Sequence, residues 1–356
     1  MKRFLTVSML LVLACAVVFA HPVTETKNEE VKTIEFIDSC GRTVEIPANV
    51  TKVAPSGAVA TMMLASIAPE YMCNVNSTPS KAQMEYLPAV LAELPATGQL
   101  YGSKATINYE ELIATGAQVL IDMGDYKKGI EEDLDALQTQ IGIPCIFLQA
   151  DLEHMSEAFR SLGTILADKE ERAEELAILI DLTMILAEIN RESIPEDERL
   201  SVMFTSGSDG LGTNAKGSSQ AQVIELVGAE NAIVVDKVSS KGGGNIVSLE
   251  QVYNADPDVI IFSPDSIYST VASDPAWKEL RAIKEGRYYE IPGEPYNWMS
   301  NPPSLNMVLG IWWLGNLLYP QYYNYDMAST AQSLYEGLWG YKLSTEQAQA
   351  LLAGSR

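Results

Sequence analysis

Two glutamates stand at the same place in two copies of one local pattern. Residues 108–121 read "NYEELIATGAQVLI" and residues 248–261 read "SLEQVYNADPDVII". Each copy opens with a polar residue fit to cap a helix, followed three residues on by Glu111 or Gln251. That spacing predicts a capping box at both helix starts. A short apolar helical stretch, a turn and an aliphatic strand follow in each. Glu110 and Glu250 then fall at the second helical position, 140 residues apart (250 − 110). An acidic residue there is favoured by the helix macrodipole, by about 0.3–1 kcal/mol. Several first-turn positions would satisfy a dipole equally well. The repeated choice of one position points instead to two matched acidic knobs, addressed to a partner with two basic pockets.

Other chemistry is sparse. No G-x-S-x-G, P-loop or strict G-x-G-x-x-G occurs, and histidine is limited to His21 and His154. His154 and Glu157 have helical i, i+3 spacing, but two such groups do not make a metal site. The reading therefore assigns no catalytic residue, no protein-held metal and no cofactor. In open αβ sheets, small ligands lie beyond the carboxyl ends of the strands, where helix N-termini and loop amides converge. The loops at those ends supply Ser56 and Gly57, Tyr101 and Gly102, then Asp125, Tyr126 and Lys127. Further along they supply Asn214, Lys216 and the loop "EPYNWMSN" with Tyr296, Asn297 and Trp298 just before a Pro-Pro helix start. Aromatic rings mixed with amides and hydroxyls suit a flat or partly apolar ligand.

The elements that must position these residues alternate. "KTIEFIDSCGRTVEIP" predicts a β-hairpin, and "KVAPSGAVATMMLASI" a strand, a turn and a helix. "YMCNV", residues 118–123 and "IPCIFLQ" predict further strands. From Asp151 to about Ser193 there is no strand signal. The segment reads as two helices broken near Ala167–Asp168, the second of about 25 residues and nearly 40 Å long. Strand and helix then alternate again through "RLSVMFTS", "SSQAQVIELVG", "NAIVV", 258–263 and "YYEIP" to a helical end. The expected architecture is α/β: a lobe over 33–150 and a lobe over 196–356, each a mainly parallel sheet flanked by helices, joined by linker helices over 151–195.

Composition bounds the function. Of 356 residues, 47 are Asp or Glu and 24 Lys or Arg, for a net charge of −23, which excludes a phosphate-contacting nucleic-acid binder. Residues 1–20, "MKRFLTVSMLLVLACAVVFA", have the basic start, apolar run and small-residue end of an export signal. Cleavage after Ala20 is the expectation; a lipid anchor at Cys15 is the alternative. Cys40, Cys73 and Cys145 then remain, an odd set at unrelated spacings. Cys73 and Cys145 read as buried thiols, with one bridge among the three left open.

The chain resembles the substrate-binding proteins of ABC importers, in the two-lobed group with a rigid linking helix that carries iron–siderophore complexes, haem, vitamin B12 and related metal chelates. The resemblance rests on "DSCGRTVEIP", "KVAPSGAVATMML", "TINYEELIATGAQVLI", the helix ending "ERAEELAILI", "VSLEQVYNADPDVIIF" and "NPPSLNMVLGIWWLGNLLYP". It implies a monomer that captures an iron chelate or similar metal complex between its lobes, outside the cytoplasm in the periplasm or at the cell surface. It also implies delivery to the transmembrane subunits of a permease, with Glu110 and Glu250 as docking points. The usual Pro-Asp before the strand is kept as Pro257–Asp258 but is Ala117–Gln118 in the first lobe. The histidine shortage argues against members that bind bare zinc or manganese. Lys127, Lys216 and Lys241 with no arginine weaken the case for a strongly anionic carboxylate siderophore. A molybdate or tungstate binder of the same fold is the closest alternative, and an exported enzyme or an adhesive surface protein are alternatives of other classes.

Overall fold

The computed structural model describes residues 32–102, 106–239 and 244–355. The expected export signal, with Cys15, Ala20 and His21, and the expected cation Lys241 lie outside the described residues. Strands β1 (Thr33–Ile37) and β2 (Thr43–Pro47) form the expected antiparallel hairpin. Its turn is held by Asp38, which accepts the backbone N–H groups of Cys40 and Arg42, both at 3.0 Å.

Strand β3 (Val53–Pro55) feeds helix α1 (Ala58–Ile67). Helix α2 (Tyr109–Ala114), β4 (Val119–Gly124), α3 (Ile130–Ile141) and β5 (Cys145–Gln149) follow, and the strands pair in parallel in the order β3-β4-β5. The strand expected at 71–75 is reduced to isolated bridges, Met72 to Val53 and Val75 to Ala96. The reason is local. After one ladder bond from the Cys73 N–H to the Val53 carbonyl, the Asn74 side-chain amide takes over and donates to the Pro55 carbonyl and the Thr97 hydroxyl.

Two helices then leave the sheet. Helix α4 (Met155–Ile165) and helix α5 (Glu170–Ser193) are separated by a break in which Asp168 takes φ +53°, at the expected Ala167–Asp168 position. The 24 residues of α5 span about 36 Å. The two helices cross closely because Gly163 has no side chain: a Cβ there would stand 2.7 Å from the Ala173 Cβ.

The second sheet contains β6 (Ser201–Thr205), β8 (Glu230–Asn231), β10 (Val259–Phe262) and β11 (Tyr288–Glu290), parallel, in the order β11-β10-β6-β8. Between them lie β7 (Gly212–Thr213), paired with β9 (Asn245–Ile246), and helices α6 (Gln222–Leu226), α7 (Leu249–Ala255) and α8 (Arg281–Lys284). Of the strand expected in "NAIVV", residues 231–235, only Asn231 belongs to β8. Beyond it Ile233 gives its carbonyl to the Lys216 N–H instead of extending the ladder. Helices α9 (Asn306–Leu318), α10 (Met327–Trp339) and α11 (Thr345–Leu351) close the chain; α9 begins three residues after Pro303 rather than at the Pro-Pro pair.

Strand alternation divides the core. Val119, Ile121 and Met123 of β4, and Val202, Phe204 and Ile261 of the second sheet, pack in one continuous core with α1, α5, α9 and α10. Leu120, Cys145 and Phe147 face a separate core under α3, while Met203, Ile260 and Phe262 face another with Trp277. The shared core stiffens the joint between lobes, since each buried aliphatic side chain contributes about 1.5–3 kcal/mol. Arg172 of α5 adds a polar tie, donating to the carbonyls of Ser66 in α1 (3.1 Å) and Gly337 in α10 (2.7 Å). Among the described residues no helix is long and apolar enough to cross a membrane.

Candidate ligand cleft

The carboxyl ends of β3 and β4 open onto a hollow of about 260 Å³, walled on the far side by the second lobe. Ser56 is set there by the backbone: its N–H donates to the Ile121 carbonyl at 3.0 Å, and its carbonyl accepts the Leu100 N–H at 2.8 Å. Gly57 follows as the N-cap of α1, which no side chain caps, so the first turn of that helix faces the hollow with free amides. Tyr101 and Gly102 line the same space. The Tyr101 hydroxyl donates to Asp133 at 3.0 Å, and the Lys127 ammonium lies over its ring, 4.1 Å from the centroid. Burial, together with that bond, pushes the Tyr101 hydroxyl pKa well up. The far wall carries Ser219, Gln220 and Asn301.

A second hollow, of about 650 Å³, meets the first at Asp125 and Ser219. From the first lobe and the linker it takes Tyr126, Gln149, Asp151, Glu153 and His154; from the second, Ser218, Gln222 and Glu225. Asp151 accepts from Gln149 (2.7 Å) and contacts the His154 ring nitrogen at 2.7 Å. Burial would raise its carboxyl, but these bonds outweigh it and hold the pKa below the ordinary value.

Seven expected residues thus meet at the cleft: Ser56, Gly57, Tyr101, Gly102, Asp125, Tyr126 and Lys127. The five expected from the second lobe do not line either hollow. Trp298 is fully buried, its indole N–H donating to the Glu294 carbonyl at 3.2 Å and its ring packed on Tyr335. Tyr296 packs against Trp339, and burial pushes its hydroxyl up to about 12. Asn297 folds the loop, accepting the Met299 N–H at 3.0 Å. Asn214 is buried beneath the wall and accepts from Asn231 at 2.9 Å, while the Lys216 side chain points to solvent. Tertiary packing of α9 and α10 draws the aromatic loop inward, which no local pattern encodes.

Sequence reasoning also passed over Asp122. It sits in β4 with only 4% of its surface exposed; one carboxyl oxygen is hydrogen bonded to the Ser56 hydroxyl and the other, Oδ2, has no partner. Burial raises its pKa. A charged residue inside the apolar run "VLIDMG" was the available signal. Gln99, Gln149, Asp151 and Glu225 were missed for want of any such signal.

The two glutamates are exposed at the second position of α2 and α7, which lead into β4 and β10. The capping box is complete at Ser248–Gln251. At Asn108 only half forms: its side chain accepts the Glu111 N–H, but its own N–H is spent on the Thr97 carbonyl at 2.7 Å. Cys40, Cys73 and Cys145 are all free thiols, Cys145 buried and the other two partly so.

Two parallel-sheet lobes, bridged by a helix and lining one cleft, define a ligand-binding protein of the periplasmic type. The periplasmic binding protein family matches residues 74–295, well over half of the chain, and the chain belongs to that family. It is 28% identical to an ABC transporter solute binding protein from Sulfurospirillum deleyianum, with TM-score 0.82 over 91% of this chain and 100% of that one. The molybdate periplasmic binding protein MolA of Haemophilus influenzae shares the fold at 19% identity, with TM-score 0.71 over 88% of this chain and 99% of that one. The Fe(3+)-citrate-binding protein YfmC of Bacillus subtilis (strain 168) is 21% identical over 192 residues, 53% of this chain. The match spans 58% of that relative's length.

Proposed function

We propose that this protein is the extracytoplasmic solute-binding component of an ABC importer. It captures an iron chelate or similar metal complex between its lobes and hands it to the transmembrane permease subunits. The observation that carries this reading is the cleft itself, walled by both lobes at the carboxyl ends of β3 and β4 and lined by hydroxyl, amide and tyrosine groups. The names of the relatives support the same reading: a solute-binding protein of a transporter and an iron-citrate binder. Ser56, Tyr101, Asp125, Tyr126 and Lys127 are the proposed ligand contacts of the first lobe, and Glu110 and Glu250 the proposed docking points. The role is binding rather than catalysis, with export directed by residues 1–20. The test is native mass spectrometry with elemental analysis of protein purified from its own source. A co-purifying metal chelate is the expected result; a protein that leaves its source with no metal and takes up none from a panel of chelates would refute it.

A further inference from the structure

The charge around the cleft is lopsided. Among the described residues, the two hollows are walled by the carboxyl groups of Asp122, Asp125, Asp151, Glu153 and Glu225, against one lysine, Lys127, and no arginine. Lys127 is already engaged over the Tyr101 ring, and His154 is paired with Asp151. Three buried polar atoms on these walls have no partner: Asp122 Oδ2 from the first lobe, in a residue 4% exposed, and from the second Ser218 Oγ, in a residue 8% exposed, and Glu225 Oε1. Buried polar atoms of native proteins are almost always satisfied, so unpaired atoms in the residues that wall one cleft mark where a ligand supplies hydrogen bonds. All three are able to accept. Tyr126 adds a half-exposed ring beside the larger hollow, a surface on which a cation rests favourably. A polycarboxylate chelate would meet like charge on both walls without an arginine to hold it.

We propose that the cleft selects a metal chelate carrying net positive charge, one that presents ammonium or other hydrogen-donating groups to the acidic walls, and discriminates against polycarboxylate chelates and oxyanions. This rests on the proposed chelate-binding function and narrows its ligand class. Among the described residues the uncapped N-terminus of α1 and the Lys127 ammonium are the anion-attracting features of the cleft, and the five carboxyl groups outnumber them.

Isothermal titration of the whole protein tests this with four probes: a ferric trihydroxamate bearing one free ammonium group, the same complex with that amine acetylated, ferric citrate, and sodium molybdate. The expected result is binding of the ammonium complex about tenfold or more tighter than its acetylated form, with weakening as salt rises. The double variant Asp125→Asn/Glu225→Gln, one change on each wall, is expected to erase most of that difference. The wild-type comparison stands alone if the variant folds poorly. Ferric citrate binding as tightly as the ammonium complex, or equal affinity for the acetylated complex, overturns the charge inference and leaves chelate binding intact. Preference for molybdate, or binding of none of the four, overturns both.

Discussion

Gln118, at the entry to β4, and Asp258, at the entry to β10, hold the same post in the two lobes: each accepts the backbone N–H of the residue leading the neighbouring strand, Thr51 and Ser201 respectively, at 2.8 Å. Each also donates its own N–H back, to the Lys52 and Ser201 carbonyls, both at 2.8 Å. The departure from Pro-Asp to Ala-Gln in the first lobe therefore exchanges a carboxylate for a side-chain amide without losing the strand tie. What differs is charge: Asp258 is also bonded to Arg281 at 2.9 Å.

That difference predicts an acid sensitivity at Asp258 that its counterpart Gln118 lacks. Burial would raise the Asp258 carboxyl, but the Ser201 N–H and Arg281 outweigh it and hold the pKa below the ordinary value. The unfolded chain then takes up the proton first as pH falls. The stabilisation is fully present above about pH 4 and is lost as pH drops through the lower folded value. Asp258→Ala is expected to cost about 1–3 kcal/mol at pH 7 by urea denaturation. The cost should shrink at pH 3; an equal cost at both pH values would contradict the assignment.

Asp122 predicts the opposite slope. Its pKa is raised by burial, against which the Ser56 bond and Lys127 act in part. The other groups facing it stay neutral at physiological pH: burial pushes the thiols of Cys40 and Cys145 up to about 11 and about 12, and Tyr101 is raised as well. The folded state holds the proton more tightly than the unfolded one. Stability is therefore unaffected below about pH 4 and falls as pH rises through the folded value. Asp122→Asn should leave stability at pH 4 nearly unchanged and raise it by about 1 kcal/mol at pH 8, read from denaturant midpoints. A loss at pH 8 would show the ionised carboxylate to be stabilising.

Trp298 is a core residue, and the loop around it depends on that. Truncation to alanine is expected to cost about 3–5 kcal/mol of stability. Its emission should be blue-shifted and unquenched by iodide, in contrast to the partly buried Trp312. Iodide quenching of a protein whose only retained tryptophan is Trp298 checks this, and strong quenching would place the ring at the surface.

Glu110 and Glu250 are exposed and bear on no core contact, so Glu110→Arg with Glu250→Arg should change the melting temperature by less than a few degrees. If they are docking points, ligand affinity should hold while uptake through the permease falls at least tenfold. Full uptake by the doubly reversed protein would remove them from that role.

Legibility followed the range of the interactions involved. The hairpin, the helix break beside Asp168, the long α5 and the doubled α2–β4 and α7–β10 units are set by caps, turns and hydrophobic period, all written within a few residues. The loops at Ser56–Gly57 and Asp125–Lys127 were legible for the same reason, because each directly follows a strand whose carboxyl end opens on the cleft.

The remainder depends on distant contacts. Whether "YNWM" lines a cleft or fills a core is decided by Tyr335 and Trp339, some forty residues downstream in the chain. Whether Asp122 is a solvated acid or a buried one with an unpaired oxygen depends on Ser56 and on packing from Cys40 to Cys145. By itself the amino-acid sequence determined the α/β alternation, the two lobes with their linker and the placing of the paired glutamates, because backbone hydrogen bonding and side-chain period are local. Only the tertiary structure decided which polar groups face the cleft and what net charge they present, because burial and electrostatics are sums over residues that folding brings together from both lobes.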